Sequence, residues 1–442
     1  MGNRSIGYEM LRQYVRFAFW LTHKRIVVAG RKNIPVGKPI IFAANHQNAL
    51  MDPLALSCTN PLQTLWLARA DIFKNSLTRP ALKFMKMLPI YRIRDGKENL
   101  SNNEEVFNQV TRVLENNHSI ALFPEAAHSG RRQMLVHRKA IPRIALDAES
   151  RNDFKMGLQI VPVGIYYDHY WKFNRTLVVQ YGEPIGIDGY RELYAENPQN
   201  AMLALRDEIR DRLFPLTMQI NSVEHYAFYE HLRLVAGEEM AQNGSHGRSA
   251  ILKIFWYEQW LMDRVERLEK EDSASFSELL AVTSTYDIQS GSAGLTEEQL
   301  AKACHTSGTK LVLQLLFALV TLPVLAFGLL FSFLPYYLPR MLLRRKVKDP
   351  AFLSTFFFVP GLLIFPVFYL AESALVVLVT HSLSIAAALF VTLPFAGKLA
   401  YNLLQFGKNL LQQIRLQTYD KRRFGKLVVQ RNAILEILRR LS

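Results

Sequence analysis

The stretch "IIFAANHQNALMDPLAL" (40–56) joins an apolar run to a polar segment, and the two together indicate how the chain folds. The run up to Ala44 has no polar alternation, which is typical of a strand covered on both faces of a parallel sheet. It ends at Asn45 and His46, and Asp52 follows His46 after five intervening residues. Ligands of parallel α/β sheets bind beyond the carboxyl ends of the strands. The stretch therefore predicts a buried strand with a histidine and an aspartate at the binding edge of a sheet.

Six more apolar runs of strand length accompany the run at 39–45, and helix-like segments separate them. They are "RIVVAG" (25–30), "TLWLAR" (64–69), "LPIYRI" (88–93), "SIALFP" (119–124), "LQIVPVGIYY" (158–167) and "TLVVQY" (176–181). This alternation predicts an α/β fold with a mostly parallel central sheet flanked by helices. Residues from 190 to about 271 are predicted to be helical, because apolar positions recur there at helical spacing.

The spacing between His46 and Asp52 bears on what the two residues do. Six positions apart on one continuous helix, they would point about 120° apart and could not form a close pair. Asp52 followed by Pro53 resembles a helix N-cap with proline at the first helical position, so the helix is predicted to start at Pro53. The preceding loop can then fold back and bring the imidazole to the carboxylate. Such a pair abstracts a proton from an alcohol, with histidine as base and aspartate holding its tautomer.

The pair alone also fits a solvated loop histidine beside an aspartate that caps a helix. The chain has 11 histidines, so a histidine six positions before an aspartate can easily occur by chance. Two further blocks contain charges near strand ends. "LPIYRIRD" (88–95) has Arg92 and Arg94, which suit a phosphate group. "ALFPEAAHSGRR" (121–132) has Glu125 after an apolar run and two arginines at its end. Each block alone also fits a salt-bridged surface.

A fourth block, "IVPVGIYY" (160–167), is an apolar strand interrupted by proline that could line an acyl or thioester groove, or serve as a core strand. All four blocks in this order on one sheet are hard to obtain by chance. Together they resemble the four motifs of the phospholipid/glycerol acyltransferase superfamily, the PlsC-like family, over residues 8–230. The matching residues, in motif order, are Asn45-His46 with Asp52, Arg92, Phe123-Pro124-Glu125 and Val161-Pro162-Val163.

The resemblance implies the fold of the glycerolipid acyltransferases and their reaction. That family moves a fatty acyl group from acyl-CoA or acyl-carrier protein to a hydroxyl of a glycerophosphate acceptor, without a metal, a cofactor or a covalent intermediate. The expected acceptor is glycerol-3-phosphate or 1-acylglycerol-3-phosphate in phospholipid biosynthesis. The implied catalytic residues are His46 and Asp52. The implied binding residues are, for the acceptor, Arg92, Arg94, Glu125, Arg131 and Lys139, and, for the acyl-donor groove, Val161, Pro162 and Val163.

Two departures from the family pattern bear on acceptor specificity rather than on the reaction class. The common first motif is H-x4-D, whereas this chain has H-x5-D. That spacing is similar to the branch of glycerol-3-phosphate and dihydroxyacetone-phosphate acyltransferases, which also carry hydrophobic segments after the catalytic domain. In the third motif Ala126 replaces glycine, and "RKAIP" (138–142) stands where a lysine-glycine pair is common. Ala126 adds a methyl group where the backbone approaches a ligand.

The chain changes character at Leu311. Residues 311–338 carry no charge, and residues 351–397 carry only Glu372, so both read as membrane segments. The part from Leu311 onward has 15 Lys and Arg against four Asp and Glu, whereas residues 1–310 have 38 against 34. The basic excess therefore flanks hydrophobic segments, as in membrane proteins, and we expect a lipid membrane as partner and no nucleic acid.

This organisation predicts five regions. They are an amphipathic N-terminal helix with the first strand (1–30), the catalytic domain (31–230), a helical region with a linker (231–310), membrane segments (311–400) and a basic cytoplasmic tail (401–442). The N-terminal helix over residues 8–23 either lies on a membrane surface or packs against the core. The linker is assigned to "STYDIQSGSAGLTEEQ" (284–299), whose end also reads as a helix start.

The positive charges predict a membrane topology. Residues 339–349 contain five Lys and Arg and the tail after Gly397 contains ten, so both are expected in the cytoplasm. Residues 351–397 are then predicted to cross twice with a turn near Glu372, and 311–338 to form a kinked, re-entrant segment. The catalytic domain is expected on the cytoplasmic face, at the inner membrane in a bacterium. Three simple crossings are the alternative.

Other functions are less compatible with the sequence. A serine hydrolase would need a G-x-S-x-G elbow, which the chain lacks. Cys304 and His305 are adjacent but lie far from the predicted sheet, and Cys58 with Cys304 forms neither a disulfide framework nor a metal cluster. An acyltransferase for another lipid acceptor, or a membrane scaffold with a silent domain, are the remaining alternatives. The intact His46 and Asp52 argue against the scaffold.

Overall fold

The computed structural model describes residues 5–76, 79–91, 102–242, 247–343, 352–418 and 420–441. The chain divides into two compact units, each described by itself. Unit 1 comprises Met1–Met218 and Val347–Phe356, and unit 2 comprises Gln219–Lys346 and Phe357–Ser442.

Unit 1 is built on an eight-stranded sheet. Its strands are β1 (His23–Ala29), β2 (Ile40–Ala44), β3 (Leu65–Arg69), β4 (Met87–Ile90), β5 (Ser119–Leu122), β6 (Gln159–Tyr167), β7 (Arg175–Tyr181) and β8 (Ile185–Gly186). The order is β1-β7-β6-β2-β5-β3-β4, and β8 pairs with β6. All neighbours are parallel except that β6 is antiparallel to β7 and to β8.

The mostly parallel sheet confirms the predicted fold class, and each of the seven predicted strands overlaps an observed one. The uninterrupted apolar run of β2 corresponds to a strand whose five residues are all buried. β7 reverses direction against β6 because residues 168–174 between them are too few for the crossover that parallel neighbours need. β8 was missed because two residues leave no periodic pattern.

Seven helices of unit 1 flank this sheet in the described residues. They are α1 (Ile6–Thr22), α2 (Met51–Thr59), α3 (Arg79–Phe84), α4 (Asn102–Glu115), α5 (Ala140–Ser150), α6 (Arg191–Glu196) and α7 (Pro198–Leu213). Apolar residues of α4, α5 and α7 form one core with the strands, including Ile41 and Ala43 of β2. On the other face of the sheet, α2 packs on β7, and Phe42 of β2 meets the ring of Tyr181.

Helix α1 has two different faces. Tyr8 and Phe19 are buried, which fits the core-packing alternative. Ile6, Met10 and Trp20 remain exposed, which leaves apolar surface for a membrane. The Ser5 side chain accepts a hydrogen bond from the N–H of Tyr8 and caps the helix start. The role of α1 at a membrane surface stays a prediction.

The secondary structure of unit 2 consists of helices alone within its described residues. Its helices are α8 (Tyr226–Gln242), α9 (Arg248–Glu271), α10 (Ser273–Ser292), α11 (Glu297–Cys304), α12 (Gly308–Leu343), α13 (Leu353–Thr380, whose first turn belongs to unit 1), α14 (Leu383–Thr418) and α15 (Lys421–Leu441). The linker predicted from residue 284 is wrong as far as Ser292, because α10 continues to that residue. Phe276, Leu279, Thr283 and Tyr286 are buried at helical spacing, and this packing outweighs the local serine and glycine content. The predicted helix start is present, since Thr296 caps α11.

By length and composition, α12, α13 and α14 are each able to cross a membrane. The expected break in 311–338 is wrong, because these residues lie within the continuous α12 despite Pro323, Pro335 and Pro339. A proline inside a helix removes one backbone hydrogen bond and kinks it, but the flanking turns can continue. The expected turn near Glu372 is also wrong. It lies between α13 and α14, where His381 adopts a left-handed φ of 52°.

Helices α12 and α14 pack antiparallel. Phe317 near the start of α12 meets Phe406 late in α14, at 5.3 Å between ring centroids. Further along α12, a methyl group added at Gly328 would lie 2.5 Å from the Ala400 Cβ, and Ser332 lies beside Gly397. Three successive complete crossings alternate in direction and would make α12 and α14 parallel. The packing therefore does not fit the simple three-crossing alternative.

Candidate active site

The loop between β2 and α2 brings His46 and Asp52 into contact. The His46 Nδ1 lies 2.9 Å from the Asp52 Oδ2. Because Nδ1 is engaged by the carboxylate, Nε2 is the ring nitrogen left to act on a substrate. Asp52 is 1% exposed, so the loop places a carboxylate in the interior next to the imidazole.

Asp52 does not cap α2, contrary to the expectation from sequence. The helix starts at Met51 with Leu50 at the N-cap position, so Asp52 lies inside the first turn. Its Oδ2 accepts hydrogen bonds from the backbone N–H groups of Gln47 and Asn48, at 2.8 and 2.7 Å. The carboxylate thus orders the loop before the helix rather than the helix itself. The positive end of the helix dipole adds favourable electrostatics for the anion.

The extra residue of the H-x5-D spacing is accommodated by the backbone at Ala49. This alanine has a φ of 39°, in the left-handed region that non-glycine residues rarely adopt. The turn allows five residues to separate His46 from Asp52 while the side chains still meet. Ala126, the residue in place of the motif glycine, is likewise left-handed, with a φ of 55°.

Glu125 follows β5 and holds two pieces of backbone. Its Oε1 accepts from the His46 N–H at 3.0 Å, and its Oε2 accepts from the Leu135 N–H at 2.9 Å. Burial raises the pKa of Glu125 to about 7, although the two backbone hydrogen bonds act in the opposite direction. In this structure Glu125 therefore positions His46 and the segment after β5, with each oxygen engaged by backbone.

Aromatic rings surround the imidazole. The ring of Phe123 stacks on His46 at 4.0 Å between centroids with 9° between the planes. The ring of His128 approaches His46 edge-on at 5.6 Å. Sequence reasoning missed His128, although it stands three residues after Glu125 in the third block. The stacked ring restricts rotation of the imidazole and shields it from water.

Asn45 sets the position of the strand end that carries His46. Its side chain donates to the backbone oxygen of Ile165 at 3.0 Å and accepts from the Ile165 N–H at 2.7 Å. This two-way bond extends the contact between β2 and β6 past the last paired residue. Asn45 is a structural part of the first motif.

The remaining candidate residues are distributed differently from His46 and Asp52. Arg92 and Arg94 lie outside the described residues. Arg131 is exposed, whereas its neighbour Arg132 is buried with its guanidinium over the rings of Tyr166 and Tyr170.

Lys139 is exposed and donates to the Gln199 side chain at 3.2 Å. Val161, Pro162 and Val163 lie in β6, and all three are buried in the sheet. In this structure they belong to the core rather than to the wall of an open groove. Over the described ranges, no group of three or more His, Cys, Asp or Glu side chains is arranged to hold a metal ion.

Comparison with known proteins identifies the domain that contains this site. Residues 25–166 match the family model described as Acyltransferase. The chain is 34% identical over 116 residues to glycerol-3-phosphate O-acyltransferase 2 of Saccharomyces cerevisiae, which covers 26% of this chain and 16% of that protein. It is 25% identical over 215 residues to 1-acyl-sn-glycerol-3-phosphate acyltransferase of Borreliella burgdorferi, covering 47% of this chain and 79% of the relative.

Among solved structures, the chain is similar to the 1-acyl-sn-glycerophosphate acyltransferase PlsC of Thermotoga maritima, with a TM-score of 0.34 and 19% identity over 46% of this chain and 78% of that one. The matched part spans less than a fifth of the yeast protein, so it relates the domain rather than the whole chains. His46, Asp52 and Glu125 all lie inside the matched residues. The resemblance drawn from the four motifs is confirmed.

Proposed function

From the acyltransferase-family domain in residues 25–166, we propose that the protein is a membrane-bound O-acyltransferase. It moves a fatty acyl group from a thioester donor, acyl-CoA or acyl-carrier protein, to a hydroxyl of glycerol-3-phosphate or 1-acylglycerol-3-phosphate. The observation that carries this proposal is the contact of His46 Nδ1 with the buried Asp52, which leaves Nε2 as a base at the carboxyl end of β2.

In the proposed reaction His46 acts first as base and then as acid. Nε2 takes the proton of the acceptor hydroxyl as that oxygen attacks the thioester carbonyl carbon. The tetrahedral intermediate collapses, the carbon–sulfur bond breaks, and the thiolate leaves with the proton held by His46. The products are an ester and a free thiol, and the imidazole is neutral again. Asp52 stabilises the imidazolium between the two steps.

The acceptor's phosphate requires cations near this pair. We assign this role to Arg92 and Arg94, with Arg131 and Lys139 as further candidates, on the strength of the motif resemblance. We also assign donor binding to Val161, Pro162 and Val163. As buried residues of β6 they would act indirectly, by setting the shape of the sheet edge.

Acyl transfer by the purified full-length protein tests the reaction class. Palmitoyl-CoA and palmitoyl-acyl-carrier protein are each combined with glycerol-3-phosphate, dihydroxyacetone phosphate and a 1-acylglycerol-3-phosphate. We expect ester formation with at least one glycerophosphate. Ester formation only with acceptors that lack a phosphate would contradict the proposal, as would hydrolysis of the thioester without transfer.

The variant Arg92→Ala tests the phosphate assignment. Loss of one charge-assisted pair corresponds to about a tenfold or larger rise in the acceptor KM, with the donor KM little changed. Arg151→Ala is the matched control, because Arg151 is a surface arginine paired with Asp147. A rise in the donor KM alone would assign Arg92 to the phosphates of the donor.

For the membrane region we propose that α12, α13 and α14 are embedded in the bilayer and that α12 does not complete a crossing. The catalytic domain precedes α12, and Ser354 at the start of α13 donates to the Tyr170 backbone oxygen of that domain. Both ends of α12 therefore lie on the side of the membrane that holds the catalytic domain, which we place in the cytoplasm, where acyl donors are found. The antiparallel pairing brings the end of α14 to the start of α12, so residues 339–349 and the basic tail keep their expected cytoplasmic position.

Cysteines introduced at Ser382 and Asp420 test this topology with a membrane-impermeant reagent in intact cells. Ser382 lies in the turn before α14, and Asp420 follows its end. We expect protection at both positions in intact cells and labelling at both after the membrane is permeabilised, with the unmodified chain as background for Cys58 and Cys304. Labelling at position 382 in intact cells would refute the topology.

A further inference from the structure

A buried cation lies behind the proposed catalytic pair. Arg175 begins β7 and is 4% exposed. Its Nη1 donates to the backbone oxygen of Tyr170 and to the Ser354 hydroxyl, the latter at 3.0 Å. Its guanidinium carbon lies 4.5 Å from the centroid of the Tyr167 ring. Within the described part of the chain, no carboxylate forms an ion pair with Arg175. Its charge therefore interacts at longer range with nearby ionisable groups, which include Tyr167 and Asp52.

Asp52 and Tyr167 are two of these groups with unused hydrogen-bonding atoms. The second carboxylate oxygen of Asp52, Oδ1, is buried and has no hydrogen-bond partner in the described structure, and the same holds for the Tyr167 hydroxyl. Burial raises the pKa of Tyr167 well above its ordinary value, and the negative charge of Asp52 adds to this effect. The hydroxyl is thus protonated and close enough to the carboxylate to feel its charge.

The backbone oxygen of Tyr170 joins this group to the catalytic loop. It accepts hydrogen bonds from the Asn48 side chain at 3.1 Å and from the Ser354 hydroxyl at 2.9 Å, besides that of Arg175. The Tyr170 hydroxyl donates to the side chain of Gln47. Gln47 and Asn48 are the residues whose N–H groups bind Asp52. Ser354 and Arg175 therefore support the loop that holds the carboxylate.

The same distant segment reaches the imidazole from the other side. Phe352 meets the ring of His128 edge-on at 5.1 Å, and His128 meets His46 at 5.6 Å. Phe352 directly precedes α13, and Ser354 lies in its first turn. Two residues from the start of an apolar helix, some three hundred positions after His46, thus contact residues that adjoin the pair, namely His128 and Arg175.

We propose that Tyr167, Arg175 and Ser354 are positioning residues of the acyl-transfer site, so that the first turn of α13 completes it. Arg175 stabilises the negative charge of Asp52, which the imidazolium needs at the moment His46 holds a proton. The Tyr167 hydroxyl donates to Asp52 Oδ1 in that state and fixes the carboxylate. Ser354 holds Arg175 and the Tyr170 carbonyl in place. This inference rests on the proposed acyl transfer.

The variant Tyr167→Phe is the sharpest test, because it removes only a hydroxyl that makes no hydrogen bond in the described structure. A structural role predicts unchanged or slightly higher stability and unchanged turnover. The positioning role predicts a kcat about tenfold lower, with both KM values unchanged. Tyr181→Phe is the matched control, since that buried hydroxyl bonds Thr59 and its loss should lower stability without lowering kcat. A kcat for Tyr167→Phe within about twofold of the unchanged enzyme would overturn the proposal.

The charge of Arg175 is tested by the pH dependence of turnover in the full-length protein. Removing a buried positive charge favours the protonated forms of its neighbours. The acid limb of the kcat/KM profile should therefore move upward by roughly one pH unit in Arg175→Met and stay in place in Arg175→Lys. An identical acid limb in Arg175→Met and the unchanged enzyme would contradict the role of the charge.

The contribution of α13 is tested by Ser354→Ala against Thr355→Val. Both variants remove one hydroxyl from the same turn, but the Thr355 hydroxyl is buried without a hydrogen-bond partner in the described structure. We expect kcat to fall several-fold, roughly threefold to tenfold, only in Ser354→Ala. Equal activity of the two variants would refute the involvement of α13. An unchanged enzyme that transfers no acyl group would overturn both this inference and the proposed function, whereas active but insensitive variants overturn the inference alone.

Discussion

Each unit buries a charged cluster, and the two are built differently. In unit 2, Arg431 of α15 is 2% exposed and lies between two carboxylates, Glu297 and Glu239, each at 2.7 Å. The Tyr286 hydroxyl donates to the other oxygen of Glu297. In unit 1, Asp52 is equally buried, but its partners within the described residues are two backbone N–H groups and the imidazole of His46.

The difference separates a buried charge that suits a structural role from one that suits the proposed chemistry. Arg431 is neutralised by fixed opposite charges, so the cluster gains nothing from a change in protonation. Asp52 has only neutral donors and one group that can become a cation. A full ion pair forms there only when His46 takes a proton, which is the moment the proposed reaction requires. We therefore expect the first cluster to control stability and the second to control turnover.

The largest effect should come from His46→Ala. Losing general-base catalysis lowers kcat by about 10²–10⁴-fold, while the thermal unfolding temperature should change little because His46 lies at the edge of the sheet. Asp52→Asn should be nearly as harmful. Turnover and unfolding of the purified variants are the two measurements. Near-normal turnover in folded His46→Ala would show that the His46–Asp52 pair does not control turnover.

Arg431→Met should show the opposite pattern. Removing the cation leaves the buried Glu297 and the half-buried Glu239 without the guanidinium, and breaking a buried ion pair typically costs about 3–5 kcal/mol of stability. The kcat of the folded fraction should remain unchanged. Arg422→Met, at an exposed position of the same helix, is the control. Equal unfolding temperatures for the two variants would show that the Arg431 cluster is not a stabilising element.

Glu125→Gln should affect both turnover and the pH dependence of stability. The amide cannot accept both backbone hydrogen bonds, so His46 loses its fixed position and kcat should fall by about 10–100-fold. In the native state Glu125 has a pKa of about 7 against an ordinary 4.5. The native state therefore binds more protons in this window, and the contribution of Glu125 to stability falls as the pH rises from 4.5 to about 7, by roughly 3 kcal/mol.

Unfolding of the unchanged protein and of Glu125→Gln across this pH range measures that contribution. The difference between the two stability curves should slope in the stated direction. A difference that is flat between pH 4.5 and 7 would mean that Glu125 is ionised in the folded protein at the lower pH.

The smallest effect is expected for Ala126→Gly. An alanine in the left-handed region costs about 1–2 kcal/mol of conformational energy, which glycine avoids. Part of this stabilisation is offset because glycine raises the conformational entropy of the unfolded chain. The net change should be a stabilisation of about 0.5–1 kcal/mol with unchanged kcat. Ala145→Gly in the middle of α5 should destabilise and serves as the control. A drop in turnover for Ala126→Gly would show that the methyl group takes part in the site.

Much of the fold was accessible from sequence because it depends on local patterns. Uninterrupted apolar runs such as that of β2 predicted strands buried on both faces, and seven of them were found close to the expected bounds. The long uncharged segments predicted membrane helices, since no soluble domain of this size could cover them. The order of the four blocks predicted an acyltransferase domain. These inferences need only the identity and spacing of neighbouring residues.

The errors share one origin, which is that contacts between distant segments outweigh local preferences. Glycine and serine near residue 290 suggested a linker, but the packing of Tyr286 and its neighbours keeps α10 helical. The prolines of 311–338 suggested a break, but α12 continues through them against α14. Asp52 before Pro53 suggested a helix cap, but its carboxylate instead accepts hydrogen bonds from the backbone N–H groups of Gln47 and Asn48 in the preceding loop.

The sequence by itself determined the strand and helix content, the acyltransferase motifs and three segments apolar enough to cross a membrane, because each of these depends on the kind and spacing of residues that are neighbours in the chain. Only the tertiary structure decided that Nδ1 of His46 faces Asp52, that Glu125 holds backbone, and that α12 and α14 run antiparallel. It also brought Ser354 to Arg175, although 179 positions separate them in the chain. Which atoms meet across such separations depends on three-dimensional packing and on satisfying every buried polar group, and no local spacing of residues records that.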